Sequence, residues 1–97
     1  MVDMIKVNEY YEGKIKSLEA EFEGVRFTAG IFLPGEYNFE THEERHITVT
    51  LGSLSIRLPG EEWKKVSKGE TIVVPAGVTI DLRVAKTNSY LCLYFNK

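Results

Sequence analysis

Ile47-Thr48-Val49-Thr50-Leu51-Gly52-Ser53-Leu54-Ser55-Ile56-Arg57-Leu58 is the stretch that decides the fold. Ile47, Val49 and Leu51 alternate with threonines, the period of two that marks a strand with one apolar face. Beyond Gly52-Ser53 the apolar parity flips to Leu54, Ile56 and Leu58. A two-residue hairpin turn at Gly52-Ser53 predicts that flip, because residues 51 and 54 then face one another on one side. Working outward, Val25, Phe27, Ala29, Ile31 and Leu33 alternate with Arg26, Thr28, Gly30 and Phe32, which predicts a strand with one mostly apolar face. Leu33-Pro34-Gly35-Glu36 reads as a turn, with proline presetting φ and glycine supplying a positive φ. An extended stretch over 37–51 follows. Pro59-Gly60-Glu61-Glu62, Ser67-Lys68-Gly69-Glu70 and Pro75-Ala76-Gly77 then bracket short strands at 63–66 and 71–74. Ile80, Leu82 and Val84 alternate with Asp81 and Arg83, and Asn88 leads into a last strand over 89–95. Residues 1–13 are polar and irregular, with room for a helical turn. The sum is roughly eight short strands with a turn about every ten residues, an all-β sandwich or closed antiparallel barrel.

The 97 residues make one domain, 1–97. A chain this size buries only about 60–70% of its unfolded surface, so its core is modest, and small barrels often dimerise. Net charge is −2 and no long basic run exists, which removes the electrostatic footprint of a nucleic-acid binder. No apolar run approaches the ~20 residues of a membrane span, and the first eight residues carry no signal-like apolar segment. Cys92 is the single cysteine; no intramolecular disulfide can form, which fits a reducing compartment. These features predict a cytoplasmic protein with neither nucleic acid nor membrane as partner.

The spacing Gly69-x5-Pro75-x-Gly77 resembles the second motif of the cupin superfamily, and Gly35 and Gly52 stand where the glycines of the first motif would. Metal-binding cupins place two histidines and a carboxylate between those glycines, and a third histidine three residues past the second motif. Here those positions hold Thr41, Glu43, Arg45 and Ile80. Only Glu43 is a ligand type, since arginine has no acceptor and isoleucine no lone pair. The resemblance therefore implies a cupin-type, jelly-roll-like antiparallel β-barrel with no metal and no cofactor. His42 and His46 are four residues apart, about 13 Å along a strand. Their parity is opposite to Ile47, Val49 and Leu51, so they read as surface histidines. A metal-dependent cupin using His42, His46 and Glu43 ranks as the third reading.

The resemblance extends further. Asn8-Glu9-Tyr10-Tyr11-x-Gly13-Lys14-Ile15-Lys16-Ser17, Gly35-Glu36-Tyr37-x-Phe39-x-Thr41-x-Glu43, Thr48-Val49, Leu58-Pro59, Trp63, Val74-Pro75, Val84-Ala85 and Ser89-Tyr90-Leu91-Cys92-x-Tyr94 are similar, in register, to the pyrimidine/purine nucleoside phosphorylase family. That family implies a homodimer of metal-free barrels, and a pentosyltransferase. Its reaction is phosphorolysis of purine and pyrimidine ribonucleosides to free base and ribose 1-phosphate, with nucleoside and inorganic phosphate as small-molecule partners. The chain departs from the family pattern at Arg45-His46, where the family carries an acidic pair, at Leu93, where it carries arginine, and at Gly77, where it carries a polar residue.

Phosphorolysis needs donors for phosphate near C1′, a grip on the ribose, and stabilisation of the oxocarbenium charge and the leaving base. By parity, Tyr37, Phe39, Thr41, Glu43 and Arg45 share the face of Ile47, Val49 and Leu51 and line one mouth of the barrel. The candidate catalytic residues are Glu43, accepting from ribose hydroxyls, and Arg45, holding phosphate in its fork. The candidate substrate-binding residues are Tyr37 and Phe39, which would stack on the base, with Thr41, Tyr90 and Tyr94. Tyr90 and Tyr94 share a face with Cys92 and either close the pocket or pack a dimer interface. The competing reading of the strip is a core-filling aromatic pair with a Glu–Arg pair at its rim. The competing function is a metal-free module that binds a nucleoside or sugar without acting on it. Cys92 reads as a small buried residue rather than a nucleophile, because no histidine is placed to activate it. Arg57 and Thr48 read as cross-strand neighbours facing outward, as do Asp81 and Arg83, and Trp63 reads as a satellite of the core.

Overall fold

The computed structural model describes residues 4–96. Among them are ten strands: β1 Lys6–Tyr10, β2 Ile15–Phe22, β3 Val25–Phe32, β4 Gly35–Glu40, β5 Glu44–Leu51, β6 Ser53–Arg57, β7 Lys64–Ser67, β8 Thr71–Val74, β9 Thr79–Val84 and β10 Asn88–Phe95. All pairings are antiparallel and fall into two sheets, a six-stranded one in the order β1-β2-β3-β10-β5-β8 and a four-stranded one in the order β4-β9-β6-β7. The sheets face one another as a jelly-roll-like barrel. Its core joins Phe32, Val49 and Tyr90 of the large sheet to Tyr37, Ile56 and Leu82 of the small one. Burying such side chains contributes roughly 1.5–3 kcal/mol each.

The parity flip at Gly52-Ser53 has a different cause from a hairpin. β5 and β6 do not pair; they belong to different sheets. The chain turns a corner at Gly52, whose φ is +80°, and crosses from one wall of the barrel to the other. Leu51 is left outward at 62% exposure while Leu54 enters the core at 2%. Asn88, 1% exposed, braces the corner by donating from Nδ2 to the Ser53 carbonyl at 3.0 Å. Thr48 pairs with Thr71 rather than Arg57, and Arg57 pairs with Asp81.

Three other expectations change. Residues 6–10, expected to be irregular, form a strand in register with β2, from Lys6 opposite Glu19 to Tyr10 opposite Ile15. Residues 1–3 of the expected irregular stretch lie outside the described residues. The stretch over 37–51 is broken at 41–43, where the chain passes from the small sheet to the large one. Gly35 has no positive φ; a Cβ there would come within 2.8 Å of the Tyr37 hydroxyl, so glycine is required for space.

The most consequential difference concerns β3. Its alternating apolar residues Phe27, Ala29 and Ile31 face outward, and Ile31 is 51% exposed. The other parity is inward: Thr28 and Phe32 are buried, and Gly30 makes room for the Tyr90 phenol, whose hydroxyl a Cβ would strike at 2.7 Å. β10 repeats the pattern, with Tyr90 and Cys92 buried between the less buried Leu91 and Leu93.

Candidate active site

Between the sheets lies a cavity of about 320 Å³. Its walls are the inward residues of β1, β2, β3, β5 and β10 on one side and of β4, β6 and β9 on the other, with residues 42 and 43 of the β4–β5 link at its rim. One part of the lining is charged and another aromatic.

The charged part is built from neighbouring positions on three paired strands. Arg26 of β3 lies opposite Tyr94 of β10, which lies opposite Arg45 of β5, so their side chains share one row of the sheet. The Arg26 guanidinium lies 4.0 Å from the Tyr94 ring centroid and that of Arg45 5.0 Å from it. Arg26 donates a short hydrogen bond from Nη2 to Oε1 of Glu43 and pairs through Nη1 with Glu19 at 3.5 Å. Burial alone would lower the Arg26 pKa, but the hydrogen bond and charge of Glu43, with the charge of Glu19, raise it on balance. Arg45 differs. Its Nε is buried and has no hydrogen-bond partner among the described residues. A buried N–H left without an acceptor costs about 1–3 kcal/mol; an anionic oxygen in the cavity would recover it.

Tyr94 shares a 3.1 Å hydrogen bond with the buried Thr28 hydroxyl. Burial raises the pKa of both inward tyrosines of β10, that of Tyr90 to about 12. They stay neutral phenols at physiological pH. Burial also raises the Cys92 thiol, so the one cysteine is a buried, protonated lining group.

The aromatic part comprises Phe32 and Tyr90, with ring centroids 4.7 Å apart and tilted, and Phe39 and Tyr10, whose rings stand perpendicular at 5.7 Å. Tyr10 reaches this place because β1 is a strand and because the turn after it is tightly set. Tyr11, Glu12 and Gly13 all have positive φ, which for the first two costs roughly 1–2 kcal/mol each. The Tyr11 hydroxyl compensates by donating to the Asn38 carbonyl at 2.8 Å and accepting from the Asn38 N–H at 3.0 Å, locking the turn to β4. Asn8 enters the cavity from the same strand and donates to Glu19 at 3.0 Å.

The structure brings together five of the seven residues predicted from sequence: Glu43, Arg45, Phe39, Tyr90 and Tyr94 all line the cavity. Tyr37 and Thr41 do not. The Tyr37 hydroxyl donates to the Leu33 carbonyl at 2.6 Å, making it a core brace. Thr41 is 2% exposed; its hydroxyl donates to the Pro75 carbonyl at 2.7 Å and accepts from the Val78 N–H at 3.1 Å, pinning the two loops together. His42 is exposed at the cavity rim, whereas His46 points outward, bonded to Glu44 at 2.9 Å and packed on Phe95. Among the described residues no group of three or more His, Cys, Asp or Glu is placed to share a metal ion. Trp63 is no core satellite; it lies outside the small sheet between the guanidiniums of Arg57 and Arg83.

Sequence reasoning missed Arg26, Glu19, Asn8 and Tyr10. The apolar alternation in β3 made Arg26 look outward. The available signal was the smallness of its companions: Thr28 and Gly30 on the same parity leave space, and space beside an arginine is a cavity. The departures from the family pattern also acquire positions. Leu93 pairs with Phe27 and His46 on the outward parity, and Gly77 lies in a loop away from the cavity; only Arg45 lines it.

Comparison with known proteins matches the pattern across the chain. The family model described as pyrimidine/purine nucleoside phosphorylase covers residues 5–94. A relative from Hahella chejuensis (strain KCTC 2396), named pyrimidine/purine nucleoside phosphorylase, is 39% identical over 92 residues, which span 94% of this chain and 99% of the relative. The crystal structure of a Vibrio parahaemolyticus protein of unknown function superposes with a TM-score of 0.92 at 36% identity, covering 95% of this chain and 99% of that one. A putative ethanolamine utilization protein Q from Salmonella typhimurium shares the fold alone, with a TM-score of 0.77 at 13% identity over 92% of this chain and 77% of that one.

Proposed function

The chain belongs to the pyrimidine/purine nucleoside phosphorylase family, and from that premise we propose that it is a broad-specificity phosphorylase that cleaves purine and pyrimidine ribonucleosides with inorganic phosphate. The observation that carries the assignment to this cavity is the unpartnered, buried Nε of Arg45 beside the Arg26–Glu43 pair, facing a wall of aromatic rings. Phosphate lies against Arg45, whose free donor it satisfies. Glu43, oriented by Arg26, accepts from the ribose hydroxyls and sits where positive charge grows on the sugar. A phosphate oxygen attacks C1′ as the C1′–N bond breaks, and the proton that hydrogen phosphate loses ends on the departing base. Tyr10, Phe32, Phe39 and Tyr90 offer the base ring faces and edges rather than a set of directional donors, which suits both base classes. The same reading makes the protein a cytoplasmic homodimer.

The test is release of base from uridine and adenosine with and without phosphate. Phosphate-dependent release supports the function; none above the no-phosphate control, across several nucleosides, removes it. Repeating the assay on Glu43→Ala and Arg45→Ala tests the site separately, since full activity in both would move the chemistry elsewhere. A second reading, binding without turnover, is favoured by the cation at position 45 where the family has an acid. It predicts that nucleosides raise the melting temperature while no base is released.

A further inference from the structure

Two strands that line the cavity are sheet edges. β1 ends the six-stranded sheet and β4 ends the four-stranded one. An edge strand must place its outward N–H and C=O groups somewhere. At Asn38 of β4 both go to one phenol: the Tyr11 hydroxyl donates to the Asn38 carbonyl at 2.8 Å and accepts from its N–H at 3.0 Å. The Tyr11 ring also packs 4.9 Å from the Tyr37 ring centroid and 5.8 Å from that of Phe39. One side chain thus ties the outer strand of one sheet to the outer strand of the other.

Tyr11 itself does not line the cavity; Tyr10, next to it in the chain, and Asn8 do. β1 is held there lightly. It pairs with β2 alone, and four of its five residues are exposed. The turn that follows works against the closed arrangement. Tyr11 and Glu12 sit at φ values of 52° and 56°, where a side chain crowds its own backbone. Strain of that kind persists only where surrounding contacts over-determine it. An element with few buried contacts beside a strained turn is among the first to open locally. The two hydrogen bonds at Asn38 oppose that opening.

We propose that Tyr11 is a positioning residue that holds this wall closed over the cavity and, through Tyr10, sets the ring that meets the base of a bound nucleoside. The contact with the base rests on the nucleoside reading above; the closure does not. When the phenol lets go of Asn38, Tyr10 and Asn8 leave the cavity, and a ligand must first draw the closed form back. Apparent affinity then falls in proportion to the fraction of closed molecules. Saturating nucleoside refills that fraction, so turnover is retained while KM rises. The phosphate end is untouched, because Arg45 stands on β5, four strands away from β1 in the same sheet. Loss of two hydrogen bonds of ordinary net strength predicts a change of about tenfold.

Tyr11→Phe keeps the ring and removes both bonds. At saturating phosphate its KM for uridine is expected to rise about tenfold, with kcat and the KM for phosphate within about twofold of wild type. In a Tyr10→Ala background the same substitution is expected to change the uridine KM by less than about twofold, because the ring it positions is gone. Cys92, the single cysteine, is 2% exposed in the cavity wall and reports closure without catalysis. Its reaction with dithiodipyridine is expected to quicken at least about fivefold in Tyr11→Phe, by a margin that low urea leaves unchanged, since a local opening exposes little surface. An active wild type whose uridine KM is unmoved by Tyr11→Phe overturns the proposal. So does an undiminished effect in the Tyr10→Ala background, or a Cys92 reactivity no higher than that of wild type. A gain in reactivity that climbs with urea, as global unfolding would give, overturns it also. A wild type without phosphorolysis, in which Tyr11→Phe still exposes Cys92, removes the nucleoside reading and leaves the closure standing.

Discussion

The inward and outward faces of the six-stranded sheet are made from the same strands, one residue apart, and they follow opposite rules. Inward, β3 offers Arg26, Thr28, Gly30 and Phe32, a set of charge, small residues and one ring that leaves a cavity. Outward, it offers Phe27, Ala29 and Ile31, and none of that charge. A strand ordinarily turns its apolar side to the core. Here the more apolar side faces out, while the charged and small residues face in and line the cavity. A barrel with a polar site at its centre and an apolar sheet face at its surface has exchanged the usual inside and outside on that sheet. The small sheet keeps the ordinary arrangement, with Tyr37, Ile56 and Leu82 inward and Glu36, Arg83 and Lys65 outward.

The sharpest way to break this comparison is to remove the inward charge. Glu43→Gln and Arg45→Met each withdraw one electrostatic contact from the proposed transition state, a loss on the order of 10²–10³ in kcat/KM for groups of this kind. Neither anchors the core, so their melting temperatures are expected to stay near that of the wild type. If catalysis survives in both, the cluster of Arg26, Glu43, Tyr94 and Arg45 is merely structural.

The next effect separates the faces by packing. Ile15 and Ile31 lie on neighbouring strands, one pairing position apart, at 1% and 51% exposure. Ile15→Ala leaves a hole in the core and is expected to cost about 3 kcal/mol, within the usual range for such truncations. Ile31→Ala is expected to cost under about 1 kcal/mol. Urea unfolding of both, at low and high protein concentration, checks this. If the Ile31 cost grows with concentration, association covers that side chain.

How much of this the sequence disclosed follows from the same asymmetry. Turns were legible because they are local: the stretches around Gly60, Gly69 and Gly77 all turn, each glycine at a positive φ, although Gly35, where a positive φ was expected, is extended and serves for space instead. Most strand positions from β3 onward were legible because period two survives whichever face is buried; the break at 41–43 was not, because β4 and β5 keep one phase across it. The side each strand buries was not, because periodicity reports contrast between faces and not which one meets solvent. Thus Glu43, Arg45 and Phe39, in phase with the core residues Ile47 and Val49, were placed correctly in the cavity, while Arg26 was not. The corner at Gly52 resembled a hairpin because a passage between sheets and a tight turn flip parity alike; only pairing distinguishes them, and pairing is not local. β1 was missed because its residues are nearly all exposed and carry little periodic signal.

A smaller effect, in the same inward row, is set by pH. Burial raises the Tyr90 pKa from 10.0 to about 12, so the folded state holds this proton more tightly than the unfolded chain does. The contribution is complete below pH 10 and is lost as pH climbs through about 12. At about 1.36 kcal/mol per unit, its ceiling is about 2.7 kcal/mol. Tyr90→Phe is expected to be less sensitive to pH over 10–12 in denaturant titrations; an unchanged alkaline loss would mean that another group carries it.

The smallest effect lies on the face that behaves ordinarily, and it decides whether "ordinary" is the right word. Trp63 is held between Arg83 at 4.1 Å and Arg57 at 4.8 Å, and Arg57 also reaches Asp81 at 3.0 Å. These are exposed groups, for which a cation–π contact contributes about 0.5–1 kcal/mol and a surface ion pair about as little. A double-mutant cycle on Arg83→Ala and Trp63→Leu is therefore expected to give a coupling of about 0.5–1 kcal/mol, with the association state and kcat/KM unchanged. A coupling near zero would leave the stacking as geometry without energy. A change in association would be more serious, because it would mean that the charged face meets a partner.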